Sequence, residues 1–346
     1  MKKISLLLLS IASLGLLSAC QSSTNHKTEA EKVVVVYTSV DQVFSEPVLQ
    51  AFEKKTGIKV KAVYDTEETK STGVLNRIIA EKNHPRCDVF WSGDPMRTAV
   101  LKKEGLLQAY CSPTAKDIPS VFKDNKCMWT GFSARARVLL YNKTILNENN
   151  IPHSIFDLTK PTYKGQFAIA NPLFGTTTFH LAALFDILGE TKAKALLDAL
   201  KQNGVVIATS NGDVKQRVVS GEVACGLTDT DDAFEAVKES KDVSYVFLDQ
   251  GDSAIGTLIM PNTVCLIKGS PHTEYGKKLI DYLLQCRTEQ ILAKSCAQMP
   301  LHKGCEVPKN VPSLDKIKPM AIDYDKTAKI LEKIQPYLEQ WEKSMQ

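Results

Sequence analysis

The stretch that most restricts how this chain can fold is Gly221 to Phe234, GEVACGLTDTDDAF. Val223-Ala224-Cys225-Gly226-Leu227 is short and apolar throughout, as in a strand buried on both faces. It runs without a break into Thr228, Asp229, Thr230, Asp231 and Asp232, where a helix is expected to begin. An Asp at a helix start caps free N–H groups and complements the helix dipole. Three Asp within four residues exceed that need, because carboxylates so close repel unless a cation, an amine or hydroxyl donors meet them. The cluster is either a solvated loop with one working cap or one wall of a binding site.

The rest of the chain favours the wall. Val33-Val34-Val35-Val36-Tyr37 is another buried-strand run, and it ends in Thr38-Ser39-Val40-Asp41. Helical periodicity follows from Phe44 to Phe52, Gly57 stops it, and Ile58 to Tyr64 alternates as a second strand. This β–α–β unit carries its hydroxyls at the carboxyl end of a strand, where open α/β sheets bind ligands. Asp65 to Thr72 is a polar loop, and Val74, Leu75, Ile78 and Ile79 mark the next helix. Cys87 to Trp91 repeats the theme, with Ser92-Gly93-Asp94 as the turn and Pro95 suited to a first helical turn.

Trp129 to Asn142 reads as a long strand with Arg135 and Arg137 on one face. Phe167 to Ala170 is a strand that leads to Gly175-Thr176-Thr177-Thr178, which opens a helix. Free N–H groups at such a start make an anion site for phosphate, phosphonate or carboxylate. The plainer alternative is one Thr as a cap and the others as filler. His180, one turn in, is either a packed helix residue or a cleft residue. Val205 to Ala208, Ser244 to Leu248 and Ile255 to Ile267 read as strands, the last bent at Pro261-Asn262. Val214–Ser220, Ala193–Lys201, His272–Gln285, Thr288–Lys294 and Asp325–Lys343 read as helices.

The amino terminus reads as an export signal. Lys2-Lys3 precedes the short apolar run Ile4 to Leu17, and Leu17-Ser18-Ala19-Cys20 follows. Leu-Ser-Ala-Cys resembles the lipobox of bacterial lipoproteins, which implies a lipidated Cys20 and a polar tether from Gln21 to Lys32. The expected location is the periplasm or cell surface, with membrane attachment through the lipid anchor only. The formal charge of +4 halves once Lys2 and Lys3 are set aside, so neither nucleic acid nor a membrane surface is an expected partner. Without Cys20, eight cysteines remain: Cys87, Cys111, Cys127, Cys225, Cys265, Cys286, Cys296 and Cys305. An exported protein can pair them, and the pairing is open, although Cys225 and Cys265 lie in apolar strands and fit buried thiols. There is no CxxC zinc spacing, P-loop, GxSxG elbow or HExxH, so neither catalysis nor a cofactor is expected.

In order and spacing, four pieces resemble the two-lobed solute-binding proteins of bacterial ABC importers. They are Val33–Tyr37, Phe52-Glu53-Lys54-Lys55-Thr56-Gly57-Ile58-Lys59-Val60, Cys87–Trp91 and Arg135-Ala136-Arg137-Val138-Leu139-Leu140-Tyr141-Asn142-Lys143. Lys215 to Glu222 also fits. The resemblance is to the ferric-binding and phosphorylated-solute-binding branch. It implies an α/β, type II periplasmic-binding-protein fold with a ligand cleft and crossover hinge strands near Phe132–Arg137 and Ile255–Pro261. Expected boundaries are a signal at 1–19, a tether at 20–32, a first lobe at 33–132, a second lobe at 133–259 and a return to the first lobe at 260–346. The implied partners are an ABC permease and its ATPase, and a monomer is expected. Ferric-binding members place a His, a Glu and an adjacent Tyr pair where this chain has Asp41, Gly93 and Asp231-Asp232. Losing both phenolates weakens an Fe³⁺ site. The expected ligand is therefore a small anionic, phosphorylated organic solute. Gly175 to Thr178, with Thr38 and Ser39, would hold the anion; Asp229, Asp231 and Asp232 would face hydroxyls or an amine. Asp41, Ser92, Asp94 and His180 complete the expected site. Ferric iron is the alternative, and a structural envelope lipoprotein or a hydrolase are alternatives of other classes.

Overall fold

The β-branched runs become buried strands here. Val33–Thr38 (β1) is such a run, and α1 (Gln42–Thr56) turns the chain back to β2 (Lys59–Tyr64), which lies parallel to β1. The computed structural model describes residues 31–65 and 73–345. The expected signal, Cys20 and most of the tether and of the Asp65–Thr72 loop lie outside the described residues.

Helix α2 (Gly73–Ala80) leads to β3 (Val89–Ser92), parallel to β1, and α3 (Pro95–Lys103) to the two-residue β4 (Leu107–Gln108). The chain then enters the long β5 (Thr130–Asn142). After it come β6 (Phe167–Ala170), α4 (Gly175–Leu188), α5 (Glu190–Gln202), β7 (Val206–Ala208), α6 (Asn211–Ser220), β8 (Cys225–Asp229), α7 (Thr230–Glu239) and β9 (Val243–Val246). Strand β10 (Ile259–Ile267) returns, and α8 (Thr273–Leu283), α9 (Cys286–Cys296) and α10 (Tyr324–Lys343) complete the chain.

The strand order is β2-β1-β3-β10-β5-β8-β6-β7, with β4 on β10 and β9 on β5. Strand β5 changes partner halfway. Thr130 to Ala136 pairs with β10, and Arg137 to Tyr141 pairs with β8. Strand β5 therefore joins the two halves of the sheet, with β10 beside its first half. The register shifts between Pro261 and Asn262, where Ser133 adopts φ 44°. A proline tolerates such a break because it has no ladder N–H to lose. Glu289 accepts from Ser133 N at 2.7 Å, and Asn262 Nδ2 donates to the Ser133 carbonyl and to Gln298 Oε1, so the bend is braced by buried hydrogen bonds.

Helix α10 bonds to elements far apart in the chain. Lys102 of α3 pairs with Asp325 near its start, Thr327 donates to Asp186 of α4 at 2.9 Å, and Trp341 Nε1 donates to the Leu197 carbonyl of α5 at 3.2 Å. Cys111 bonds Cys127, and Cys286 bonds Cys305. Cys225 and Cys265 are buried free thiols, as their strands predict, and Cys87 and Cys296 join them.

The observed elements differ from the sequence reading mainly at their ends. Strand β8 runs through Asp229, two residues further than its apolar stretch, because Arg137↔Asp229 continues the pairing with β5. The bent final strand begins only at Ile259, since Gly256 adopts φ 84° and turns the chain first.

Candidate ligand-binding site

Each strand that points its carboxyl end at the cleft delivers one short polar turn. The β1 and β3 turns fasten to each other. Gly93 N donates to Ser39 Oγ at 3.0 Å, Thr38 Oγ1 accepts from Val40 N, and Ser92 Oγ accepts from Asp94 N. Asp94 is the N-cap of α3 and accepts from Met96 N at 2.8 Å and Arg97 N at 3.3 Å. These side chains are buried and committed to backbone groups, so Thr38, Ser92 and Asp94 build the turns; Ser39 ties them together. Asp41 stands half-buried at the N-cap position of α1 without capping it through its side chain.

The other wall is organised by Arg137. Its Nη1 donates to Asp229 Oδ1 at 2.7 Å, Asn211 Oδ1 at 2.9 Å and Thr176 Oγ1 at 3.2 Å. Its Nη2 donates to Thr177 Oγ1 at 3.0 Å and the Leu227 carbonyl at 3.1 Å. One guanidinium thus joins the threonine-rich start of α4 to the acidic start of α7. The sequence reading set these groups at opposite ends of a cleft; they are neighbours, because β6 and β8 are adjacent parallel strands.

Helix α4 has Phe174 at its N-cap position and no side-chain cap, which leaves first-turn N–H groups without an intrahelical acceptor. Asn211 Nδ2 also donates to Thr176 Oγ1 at 2.9 Å. That oxygen already accepts from two donors, so its own proton is free to point elsewhere. Thr178 Oγ1, Arg135 Nε and Arg137 Nε are buried with no protein partner. His180 is buried within α4 and lies in the field of Arg137; burial, then that charge, pushes its ring down to about 3. It is a neutral packed residue behind the cleft at physiological pH.

Arg135, two residues before Arg137 and on the same face of β5, spans the two walls. Its Nη2 donates to the Gly93 carbonyl at 2.7 Å, and its Nη1 lies 3.5 Å from both Asp229 and Asp231. Burial works against its charge, but Asp231, Asp229, Asp94 and Asp232 together hold its protonation above the ordinary arginine range. Asp232 Oδ2 accepts from Thr228 Oγ1 at 3.0 Å. Burial first, then the charges of Asp231 and Asp229, push its carboxyl up to about 7. Asp231 is raised as well, by burial and Asp229 against the pull of Arg135. Oxygens of Asp229, Asp231 and Asp232 lie within 4.8 Å of one another. Arg135, Arg137 and Asn211 were not assigned to the site from sequence. The available signal was the two arginines on one face of an otherwise apolar strand.

A family model for bacterial extracellular solute-binding proteins matches residues 48–318. The chain belongs to that family. Among curated relatives, the major ferric iron-binding protein of Neisseria meningitidis serogroup A is 26% identical over 285 residues, covering 80% of this chain and 82% of its own. A periplasmic protein of Salmonella typhimurium, named provisionally for 2-aminoethylphosphonate binding, is 25% identical over 280 residues, covering 79% and 80%. The solved periplasmic binding protein AfuA of Actinobacillus pleuropneumoniae, with fructose-6-phosphate bound, superposes with a TM-score of 0.75 at 23% identity, over 89% of this chain and 99% of its own. The fold is that of the type II periplasmic binding proteins.

Proposed function

We propose that this chain is the substrate-binding lipoprotein of an ABC importer and that its ligand is a small anionic, phosphorylated organic solute. The observation that carries the ligand reading is the surplus of donors. The uncapped start of α4, the hydroxyl of Thr176 and the unpartnered Thr178 Oγ1, Arg135 Nε and Arg137 Nε all need acceptors. A phosphate or phosphonate group is the kind of acceptor-rich group that suits donors of this type. Asp231 and Asp232, beside the same wall, suit the hydroxyls or amine of the rest of such a molecule. The resemblance to proteins named for 2-aminoethylphosphonate and solved with fructose-6-phosphate agrees with this chemistry. Export with lipidation at Cys20, lobes at 33–132 with 260–346 and at 133–259, hinge closure over β5 and β10, and delivery to a permease as a monomer complete the proposal.

Ferric iron is the second reading. It rests on three aspartates whose oxygens lie within 4.8 Å and on the likeness to the Neisseria protein. One thermal-shift panel separates the two. The purified protein, stripped of ligand, is heated with 2-aminoethylphosphonate, hexose phosphates, inorganic phosphate or Fe³⁺-citrate. At 100 times its dissociation constant the true ligand adds about 2.7 kcal/mol of stability. The expected result is a shift with an organophosphate that is lost in Thr177→Val. A shift with iron alone would overturn the ligand assignment.

A further inference from the structure

Cys286 and Cys305 close a ring of chain that grips the bend of β5. The two bonded cysteines stand 19 positions apart, and the ring holds α9 and the stretch 297–304. Three contacts run from it to the bend and to the strand beside it. Glu289 Oε1 accepts from Ser133 N at 2.7 Å. Met299 and Ala134 exchange both backbone hydrogen bonds, at 2.7 and 2.8 Å. Gln298 Oε1 accepts from Asn262 Nδ2 at 2.7 Å. The ring is also tied across itself, because Glu289 accepts from Leu301 N, His302 N and His302 Nδ1. Ser133 has φ 44°, a backbone conformation that persists only where its surroundings hold it. Ala134 directly precedes Arg135, which touches both walls of the cleft.

We propose that the Cys286–Cys305 disulfide is a redox-sensitive clamp on β5, which tightens the hold of the cleft on its solute and is released by a dithiol reductant. Both cysteines are half-buried, and Lys303, Gly304 and Glu306 around Cys305 are exposed, so a dithiol can reach the bond. Cys286 is the first residue of α9, where Gln285 provides no side-chain cap. Free N–H groups at a helix start favour a departing thiolate. One thiolate of the dithiol attacks Cys305 Sγ, the S–S bond breaks and Cys286 Sγ leaves with the electron pair. The second thiol of the reductant then displaces Cys305 and closes the reductant's own disulfide. Two electrons pass to the protein, and the two protons of the dithiol end on Cys286 and Cys305. The stretch after α9 is then held by packing and hydrogen bonds alone, and local opening beside Ala134 becomes easier. The clamp acts on whatever solute the cleft takes.

The test follows amide hydrogen exchange of the full ligand-free protein before and after dithiothreitol, with alkylation and mass spectrometry to report which disulfide has opened. Dithiothreitol is expected to open Cys286–Cys305 in the folded protein. Exchange of the Ser133, Ala134 and Met299 amides should then rise at least tenfold, while Val34 and Val36 of β1 stay protected. Cys286→Ser with Cys305→Ser should show the same rise without reductant, and Cys111→Ser with Cys127→Ser should not. If the first double variant does not fold, reduced wild type carries the test. Affinity for 2-aminoethylphosphonate or a hexose phosphate should fall at least tenfold on reduction. A bond that resists dithiothreitol in the folded protein overturns the clamp. So does unchanged exchange with the bond open, or equal affinity in the two states. If wild type binds neither organophosphate, the ligand reading fails, and the exchange result alone decides the clamp.

Discussion

Arg137 Nη1 and Asp229 Oδ1 meet at 2.7 Å with side chains only 2% and 1% exposed, on directly paired residues of β5 and β8. Such a pair stabilises little relative to an apolar pair but is costly to break, because the survivor is a buried unpaired charge. Arg137→Met should therefore cost about 3–5 kcal/mol. Combining it with Asp229→Leu should recover part of that loss. Urea unfolding of the two variants checks both numbers, and equal losses in the single and double variants would mean that the packing around the pair, rather than its charge, is what matters.

Asp232 titrates against the usual carboxylate order. Its folded pKa of about 7 lies above the ordinary Asp value, so between the two the folded state holds more protons than the unfolded state. Stability then falls as pH rises from about 4 to 7. Ligand-free Asp232→Asn should lack this component. Its melting temperature should exceed that of wild type at pH 8, and the difference should shrink toward pH 4. Parallel melting curves across that range would contradict the assignment.

Glu289 holds the bend of the crossover strands. Its buried carboxylate accepts from Ser133 N, Leu301 N, His302 N and His302 Nδ1 at 2.7 to 3.1 Å. Glu289→Ala leaves these donors unmet and should cost roughly 3–5 kcal/mol, since each lost bond exposes the desolvation cost of its partner. Denaturant unfolding measures it.

The same carboxylate acts on His302. Burial lowers the affinity of that ring for its proton, but the bonds to Glu289 and to the Thr114 carbonyl outweigh it and raise the pKa above the ordinary histidine value. The stabilisation is full below the unfolded pKa of about 6.5 and is lost as pH rises through the folded one. Glu289→Gln should flatten this part of the stability–pH curve and leave the Asp232 part in place. Histidine ring shifts followed by NMR would locate the midpoint, and a midpoint at or below 6.5 would refute the pairing.

Trp341 anchors the end of α10 against α5 by burial and by its bond to the Leu197 carbonyl. Trp341→Ala should cost about 3–5 kcal/mol by cavity formation. Because α10 also holds Lys102 of α3, the loss should appear in the single main unfolding transition. A separate early transition would show that the helix end folds independently.

The strands and the helices between them could be read from the chain because buried β-branched runs and helical periodicity are local signals. Val33 to Tyr37 and Phe167 to Ala170 are strands because each is apolar throughout, and the turns after them are polar because they lie at sheet ends. Strand ends were less legible. Thr228 and Asp229 look like the start of a helix, yet they belong to β8 because a strand distant in sequence offers them partners.

The sequence by itself determined the α/β class, the order of the elements and the polar turns at the strand ends, since residue type and spacing act over a few positions. Only the tertiary structure decided how those turns are used. Asp94 caps a helix, His180 is buried, and Arg135 and Arg137 stand among the aspartates. Those roles arise where β5 leaves β10 for β8 and carries two arginines between walls from distant parts of the chain. Charge pairing across such a junction depends on distance in space, which local pattern does not encode.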